Sequence, residues 1–280
     1  MVAKHTLYIV ATPIGHRDDL SQRAIATLQG VDRIYAEDTR SSSGLLQHVG
    51  VRTPLQALHE HNEQALTDAV LGRLQGGESA ALISDAGTPL ICDPGYRLVR
   101  ACLEANVTVS PIPGPCALIA ALSVAGLPTN QFEFIGFAPA KSSARIPWLK
   151  THANKAHTLV MYETPHRILS CLEECVDTLG ADRPITLLRE LTKRFETILH
   201  GRLDSVLASV VADSDQRRGE FVVVIGGCEH PTSAESLALD QVLECLLPHL
   251  PPKTVARCAS ELAGVSRQSA YDRILELKQR

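Results

Sequence analysis

The sequence predicts an α/β protein with two lobes and a helical extension at its C-terminus. In the first part of the chain, short apolar strand patterns alternate with helix patterns, which is typical of a doubly wound parallel sheet. Beyond residue 115, some strand patterns follow one another directly, which indicates a second, mixed sheet. After Gly226-Gly227 only helix patterns remain. We therefore expect three domains, at residues 1–115, 116–228 and 229–280.

The predicted elements of the first lobe follow from apolar spacing. Alternating or continuous apolar runs predict strands at Leu7–Ala11, Val31–Ala36, Ser79–Ser84 and Val107–Ile112. Apolar residues three and four apart predict helices at Asp19–Gln29 and Ser43–Val49, a helix capped by Asn62, and one beginning at Asp93. This lobe should therefore be a parallel sheet covered by helices.

The same spacing rules predict the rest of the chain. In the second lobe we expect strands at Phe132–Phe137, Thr158–Tyr162, Ile185–Arg189, Glu196–His200 and Phe221–Gly226. Helices are expected at Ala117–Val124, Ser142–Asn154, His166–Leu179 and Ser205–Ala212. The extension should contain helices at Ala234–Leu247, Lys253–Leu262 and Ser266–Lys278.

Composition places the chain among globular proteins. Hydrophobic residues make up 45% and charged residues 21%, and no apolar run approaches the roughly 20 residues that span a bilayer. The first apolar run turns at Pro13, which favours a strand over a signal peptide, so we expect a cytoplasmic protein with no membrane contact. Of eight cysteines, only Cys171 and Cys175 are closely spaced, and buried thiols are favoured over a zinc site. We expect no metal.

One segment is a candidate for binding nucleic acid although the net charge is −4. No acidic residue occurs between Phe134 and Tyr162, and basic side chains within this stretch could contact RNA phosphates. The candidates are Lys141, Arg145, Lys150 and Lys155, with Trp148 stacking on a base or packing. The alternative is a solvated helix with Trp148 in the core.

Two stiff loops suggest a binding cleft. SDAGTPLICDPG, Ser84–Gly95, directly follows a predicted strand, where ligands bind in open α/β sheets. Ala86 and Gly87 allow a ligand to approach the backbone, and Asp85 could accept hydrogen bonds from it. PIPGPC, Pro111–Cys116, is a second such loop. Either loop alone could be an ordinary turn, with Asp93 as a helix cap, but two together favour a cleft. No known phosphate loop is present.

Seven ordered segments carry a resemblance to a known family. They are LYIVATPIGHRDDLSQRA (Leu7–Ala24), AEDTR (Ala36–Arg40), SDAGTPLICDPG, PIPGPCALIAAL (Pro111–Leu122), ETPHR (Glu163–Arg167), RELTKRFE (Arg189–Glu196) and RGEFVVVIGG (Arg218–Gly227). With them the chain resembles the tetrapyrrole-methylase superfamily, and within it the ribosomal RNA small-subunit methyltransferase I family. It departs from that pattern at His16, where Asn is common, and at Cys92 and Cys116, where Ser is frequent.

The resemblance implies a bilobal fold with S-adenosylmethionine in the cleft between the lobes. It also implies a homodimer that methylates the 2′-hydroxyl of cytidine 1402 in 16S rRNA, and we expect the substrate to be the assembled 30S subunit. The residues expected to contact the cofactor are Pro13, Asp85, Ala86, Gly87, Thr88, Ile91, Cys116, Ala117, Tyr162 and Leu188.

Methyl transfer to a ribose hydroxyl needs close positioning, and it is helped by a base or an electrostatic stabiliser. Charged candidates near the expected cleft are Glu37, Asp38, Glu163, Glu190 and Lys193. Because AEDTR and RELTKR both mix acids with bases after predicted strands, we expect the catalytic residues to be Asp38, Arg40, Glu190 and Lys193. The alternatives are an Asp38–Arg40 ion pair that supports its loop and a solvated RELTKR loop.

Two other functions stay open at this point. A precorrin C-methyltransferase of the same superfamily usually carries a GxGPG turn after the first strand, where this chain has ATPIG. The segment Ala256–Leu277 resembles a helix-turn-helix with Gly264 at the turn and Ser266 capping the second helix, so a DNA-binding regulator is the second alternative. For the extension itself we favour a helical hairpin that helps to hold RNA or a subunit surface, or that packs on the body.

Overall fold

The computed structural model describes residues 2–229 and 234–277. Its residues fall into two compact units. The first contains the residues up to Ala153 together with His157–Gly227, and the second contains Asn154–Ala156 and the residues from Cys228 onward. Within the described residues, no helix is long and apolar enough to cross a membrane.

The first lobe of the larger unit is built on a parallel five-stranded sheet. Its strands are β1 (Thr6–Val10), β2 (Arg33–Ala36), β3 (Leu55–Ala57), β4 (Ser79–Ile83) and β5 (Thr108–Ile112), in the order β3-β2-β4-β1-β5. Every neighbouring pair is parallel, as predicted. The sequence did not predict β3, which has three residues, because so short a strand shows no periodicity. Since the strands are parallel, all their carboxyl ends lie at one edge of the sheet.

Helices cover both faces of this sheet: α1 (Gln22–Gly30), α2 (Thr39–His48), α3 (Glu63–Gln75) and α4 (Tyr96–Glu104). The prediction that Asp93 starts a helix is wrong. The helix α4 begins at Tyr96 with Gly95 at the N-cap. The Cβ of any other residue at 95 would lie 2.5 Å from Leu82 Cδ2, and its φ is +125°, so the chain turns here in a way that only glycine permits. Asp93 is thereby left outside the helix.

The second lobe has a mixed sheet, as predicted. Its strands are β6 (Phe132–Phe137), β7 (Thr158–Glu163), β8 (Pro184–Arg189), β9 (Thr197–Arg202) and β10 (Phe221–Ile225), in the order β6-β7-β10-β8-β9. Only β6 and β7 are parallel; the other pairs are antiparallel. The accompanying helices are α5 (Ala117–Val124), α6 (Ser142–His152), α7 (Ile168–Leu179) and α8 (Leu203–Ala212). A continuous apolar core beneath this sheet includes Leu159, Leu187 and Val223.

In the part of the second unit that the structure describes, three helices pack together. Its helices are α9 (Ala234–Leu246), α10 (Pro252–Ala263) and α11 (Arg267–Leu277). Leu243, Val255 and Ile274 are buried where the helices meet. Gly264 takes a left-handed conformation after α10, and the Ser269 N–H donates to the Ser266 hydroxyl at 3.1 Å. This is the turn and cap that the sequence predicts for a helix-turn-helix.

Candidate active site

A cavity of about 710 Å³ lies between the two lobes of the larger unit. Its size is within the range of small-molecule sites. The first lobe contributes the segments after β1, β2 and β4, and the second contributes the ends of β7 and β8 and the start of β10. The cavity thus lies at the carboxyl edge of the parallel sheet, where the fold predicts a ligand site.

The turn Asp85–Thr88 is held rigidly against the end of β1. The Thr12 N–H donates to the Gly87 carbonyl at 2.8 Å, and the Gly87 N–H donates to the Thr12 carbonyl at 3.1 Å. The Thr88 hydroxyl donates to the Pro115 carbonyl at 2.9 Å, so the two predicted loops are tied together. Farther along the same loop, Leu90 and Cys92 have left-handed φ values of 74° and 66°, a strained conformation that is commonest at functional sites.

Three carboxyl groups, those of Glu37, Asp85 and Asp93, line this side of the cavity. Burial, with help from neighbouring carboxylates, raises the pKa of both Glu37 and Asp85. Burial is also the main cause that raises the pKa of Asp93, to about 6, although a Ser84 hydrogen bond opposes it. These carboxylates crowd one another, so a bound cation would stabilise their ionised forms.

The opposite wall is assembled by antiparallel pairing. Since β10 runs against both β7 and β8, its start lies beside their ends, and Val222 pairs with both Tyr162 and Leu188. These three side chains make the apolar part of the wall. The Tyr162 hydroxyl accepts a hydrogen bond from the Leu118 N–H at 3.1 Å. Burial, with the nearby Cys116, raises the pKa of Tyr162, so its hydroxyl stays neutral.

A lysine between two carboxylates completes the second wall. Lys193 Nζ lies 2.9 Å from Glu190 Oε1 and 2.7 Å from Glu220 Oε2, and all three residues line the cavity. Burial opposes the charge on Lys193, but the hydrogen bonds to Glu220 and Glu190 outweigh it and raise its pKa. Burial also opposes ionisation of Glu190, yet the Glu220 N–H and Lys193 together lower its pKa. Lys193 and Glu190 are therefore both charged at neutral pH.

Two glycines, Gly219 and Gly15, leave room for the side chains of Glu190 and Lys193. A Cβ at Gly219 would lie 2.4 Å from Glu190 Cγ, and its φ is +91°. A Cβ at Gly15, in the first lobe, would lie 2.5 Å from Lys193 Cγ. Next to Gly15, the His16 N–H donates to the Thr192 hydroxyl at 3.1 Å. The loop that carries Lys193 is thus in direct contact with the first lobe.

Most of the residues expected to contact the cofactor line this cavity. They are Asp85, Ala86, Gly87, Thr88, Ile91, Cys116, Ala117, Tyr162 and Leu188. Pro13 is not among the lining residues, although its neighbour Ile14 is. Asp93 and Glu220 also line the cavity, although neither was predicted as a site residue. Asp93 was expected to cap a helix, and the signal for Glu220 was its position in the matching segment RGEFVVVIGG.

The expected catalytic residues divide into two groups. Glu190 and Lys193 line the cavity, whereas Asp38 and Arg40 do not. The Asp38 N–H donates to Asp85 Oδ1 at 3.1 Å, which places it beside the cavity wall. The side chain of Asp38 caps α2 and contacts the Arg40 guanidinium at 2.7 Å. Hydrogen bonds from Arg40 lower the pKa of Asp38 to about 2, so Asp38 is a weak base. Arg40 has 89% of its side chain exposed.

One residue of the segment predicted to contact RNA, Arg145, is not on the surface. Arg145 is buried, and its guanidinium donates two hydrogen bonds to Glu174, at 2.5 and 2.8 Å. It therefore holds α6 against α7 and is not available to an RNA phosphate. Lys141 and Lys150 are exposed near the two ends of α6. Trp148 packs against the core of the second lobe, while Lys155 belongs to the second unit.

Comparison with known protein families defines the class. Residues 6–207 match the family model described as Tetrapyrrole (Corrin/Porphyrin) Methylases, and residues 233–278 match the RsmI C-terminal HTH domain. A crystal structure of uroporphyrin-III C-methyl transferase from Thermus thermophilus complexed with S-adenyl homocysteine shares the fold. It has a TM-score of 0.54 and 19% identity, over 79% of this chain and 97% of that one. The fold is therefore that of the tetrapyrrole methylases, a class of methyltransferase.

Curated relatives identify the family more closely. The chain is 48% identical over 273 residues to "Ribosomal RNA small subunit methyltransferase I" of Pseudomonas aeruginosa, covering 97% of both chains. It is also 48% identical over 266 residues to the protein of the same name from Xylella fastidiosa, covering 95% of this chain and 97% of that one. The chain belongs to the ribosomal RNA small subunit methyltransferase I family, and it is an S-adenosylmethionine-dependent enzyme.

The cavity fits S-adenosylmethionine in size and chemistry. Ile14, Cys116, Ala117 and Leu188 provide apolar surface, and the backbone of the Asp85–Thr88 turn is open to a ligand. The crowded carboxyl groups of Glu37, Asp85 and Asp93 complement a cationic ligand, and they can also accept hydrogen bonds from hydroxyl groups. When bound, S-adenosylmethionine supplies an electrophilic methyl group that is bonded to its positively charged sulfonium sulfur.

We expect affinity for S-adenosylmethionine to fall by up to about 4-fold between pH 7.5 and pH 5.5. Asp93 has a raised pKa of about 6, so it is ionised at the higher pH and mostly protonated at the lower one, where its attraction for the cationic cofactor is lost. Calorimetric titration at several pH values measures this. In Asp93→Asn, affinity should be lower at pH 7.5 and should depend less on pH; equal pH slopes in the two proteins would contradict the assignment.

Proposed function

We propose that this enzyme methylates 16S rRNA of the small ribosomal subunit on the 2′-hydroxyl of a cytidine, cytidine 1402. Full-length similarity to proteins named ribosomal RNA small subunit methyltransferase I supports the RNA substrate. The observation that carries the choice of a hydroxyl acceptor is the contact of Lys193 with both Glu190 and Glu220 in the cavity wall. A methyl acceptor of this kind must lose a proton, and this group can assist that loss.

In this proposal Glu190 and Lys193 act on the ribose oxygen. The carboxylate of Glu190 accepts the hydrogen bond, and then the proton, of the 2′-hydroxyl. Lys193, whose raised pKa keeps it charged, stabilises negative charge that develops on that oxygen. Glu220 is more exposed, with 76% of its side chain accessible, and it holds the ammonium of Lys193 from the outer side.

Asp38 and Arg40 have a different role in the proposal. The exposed guanidinium of Arg40 contacts a phosphate of the bound RNA, and Asp38 orients it. The two-point contact between Asp38 and the Arg40 guanidinium, with distances of 3.2 and 2.7 Å to Asp38 Oδ2, supports this role because it restricts the arginine to one direction. Asp38 is a positioning residue here, since its carboxylate is held by the start of α2 and by Arg40 and does not line the cavity.

Lys141, Lys150 and Lys155 remain the proposed phosphate contacts outside the cavity. Lys141, at the N-cap of α6, and Lys150, on α6, support this role because both are exposed and the helix has no acidic residue. We further propose that the enzyme acts as a homodimer on the assembled 30S subunit, because one chain of 280 residues offers little surface to a folded particle. The exposed apolar side chains of Ile119 and Val124 on α5 support a contact between two copies.

The test of this function is to locate the transferred methyl group. The enzyme is incubated with labelled S-adenosylmethionine and with 30S subunits that lack the modification, and the digested rRNA is analysed by mass spectrometry. We expect label on the ribose of one cytidine. Label on a base, or no label on RNA, would contradict the proposal. Heat-inactivated enzyme and fully modified subunits are the controls.

A further inference from the structure

A loop at the rim of the cavity exposes an aromatic ring and a cation together. Phe195 has 62% of its surface accessible, one of the highest values among the large apolar side chains described. The guanidinium carbon of Arg194 lies 5.4 Å from the centre of the Phe195 ring, within the range of a cation–π contact. Arg194 is itself exposed, so both side chains of the pair are accessible from solvent.

The loop that carries this pair is rigid. The largely buried guanidinium of Arg189 donates to the Phe195 carbonyl at 2.9 Å and to the Arg218 carbonyl at 2.6 Å. The Thr192 N–H donates to Glu196 Oε2 at 2.6 Å, and Thr192 has a left-handed φ of 62°. Because the backbone is already ordered, a ligand that binds to the ring does not have to order the loop.

The pair lies beside the proposed catalytic group. Lys193, immediately before Arg194, lines the cavity, and so does Gly219, immediately after Arg218. The guanidinium of Arg189 joins these two stretches. Phe195 and Arg194 therefore belong to the rim around the position where the ribose hydroxyl would react.

A base in unpaired RNA is the ligand that suits this arrangement. An aromatic ring offers every base a surface for stacking, and an adjacent cation favours polyanionic RNA. A nucleotide whose ribose enters the cavity must leave its stack, and its neighbour then loses a stacking partner. We propose that Phe195 and Arg194 form a stacking subsite for the base next to the methylated nucleotide. This inference rests on the proposed action on rRNA.

The test compares variants at Phe195 in two assays. The first measures kcat and KM for undermethylated 30S subunits; the second measures direct binding of a single-stranded decoding-region RNA that carries 2-aminopurine beside the target cytidine. Phe195→Ala and Phe195→Leu should both raise KM and weaken RNA binding by about 5-fold to 150-fold, with the loss mainly in KM. Phe195→Trp should retain both values and should quench the 2-aminopurine fluorescence. Cofactor affinity and melting temperature should be unchanged in all three variants.

Tyr96→Ala is the matched control, because Tyr96 is equally exposed, at 64%, and does not line the cavity. An unchanged KM and RNA affinity in Phe195→Ala would overturn the subsite. Full activity in Phe195→Leu would also overturn the subsite, because it would mean that residue 195 makes an apolar contact with a protein. Dissociation of a dimer, measured by sedimentation of Phe195→Ala, would overturn it as well. If the parent enzyme methylates no rRNA, the proposed function fails. RNA binding that still depends on the ring would then retain the stacking role of Phe195 but reject its place beside a methylated nucleotide.

Discussion

Replacing Lys193 with methionine should lower kcat by about 10²-fold to 10³-fold while affinity for S-adenosylmethionine changes less than about 3-fold. Methionine fills a similar volume but cannot stabilise charge on the ribose oxygen. Lys193 contacts Glu190 at 2.9 Å and Glu220 at 2.7 Å, so its loss also leaves two neighbouring carboxylates without their cation. Single-turnover kinetics with 30S subunits, together with calorimetry for the cofactor, provide the measurement.

Two further variants make this test specific. Glu190→Gln keeps the shape of the side chain and removes its basic oxygen, and we expect a loss of at least about 10²-fold. Glu220→Gln serves as the control, since Glu220 is mostly exposed and Lys193 keeps its contact with Glu190; its effect should be below about 10-fold. Near-normal turnover in both Lys193→Met and Glu190→Gln would mean that positioning alone accelerates the reaction.

Replacing Ala86 with tryptophan should weaken binding of S-adenosylmethionine at least about 100-fold, which corresponds to about 2.8 kcal/mol. Ala86 lines the cavity in the turn that is paired with Thr12, and an indole there would occupy the space meant for the ligand. Calorimetric titration measures the affinity. Ala86→Ser, which adds one hydroxyl, is the control and should bind nearly as the parent does. Parent-like binding by Ala86→Trp would place the cofactor elsewhere.

Loss of cofactor binding through misfolding of Ala86→Trp must be distinguished from loss through a blocked site. The side chain at position 86 faces a cavity and not the packed core, so Ala86→Trp should keep its melting temperature within a few degrees of that of the parent. A large drop in melting temperature would mean that the Thr12–Gly87 pairing is broken. In that case Thr88→Trp, on the same turn, is the second variant, and retention of cofactor binding by a folded Thr88→Trp would reject the site.

The elements of the fold were predictable because their signals are local. Apolar residues repeat with a helical or strand period within a single segment, and this is enough to locate β1, β4, α5 and β6 closely. Small and stiff residues after β4 likewise predicted a binding turn at Asp85–Thr88, which lines the cavity. The start of α4 was misplaced because Asp93 has the chemistry of a helix cap, whereas the packing of Gly95 against Leu82 decides where the helix begins.

The electrostatics of the site were less predictable because they depend on pairs that are distant in the chain. Arg145 belongs to a basic segment, yet its partner Glu174 is on the next helix and draws it into the interior. Lys193 is one of several charges in its loop, and its raised pKa depends on a contact with Glu220, 27 residues away, as well as on the nearby Glu190. No pattern around either residue indicates whether its side chain will be buried.

By itself, the sequence determined the class of fold, the location of the turn that lines the cavity and, through its motifs, the family. Those properties follow from local periodicity, turn chemistry and ordered segments. The tertiary structure alone decided which charges meet: the antiparallel register of β10 brings Glu220 to the ends of β7 and β8, and Gly15 and Gly219 leave room for Lys193 and Glu190. The physical reason is that burial and ion pairing are properties of side chains from different elements in three dimensions, so they are decided only when the two lobes pack together.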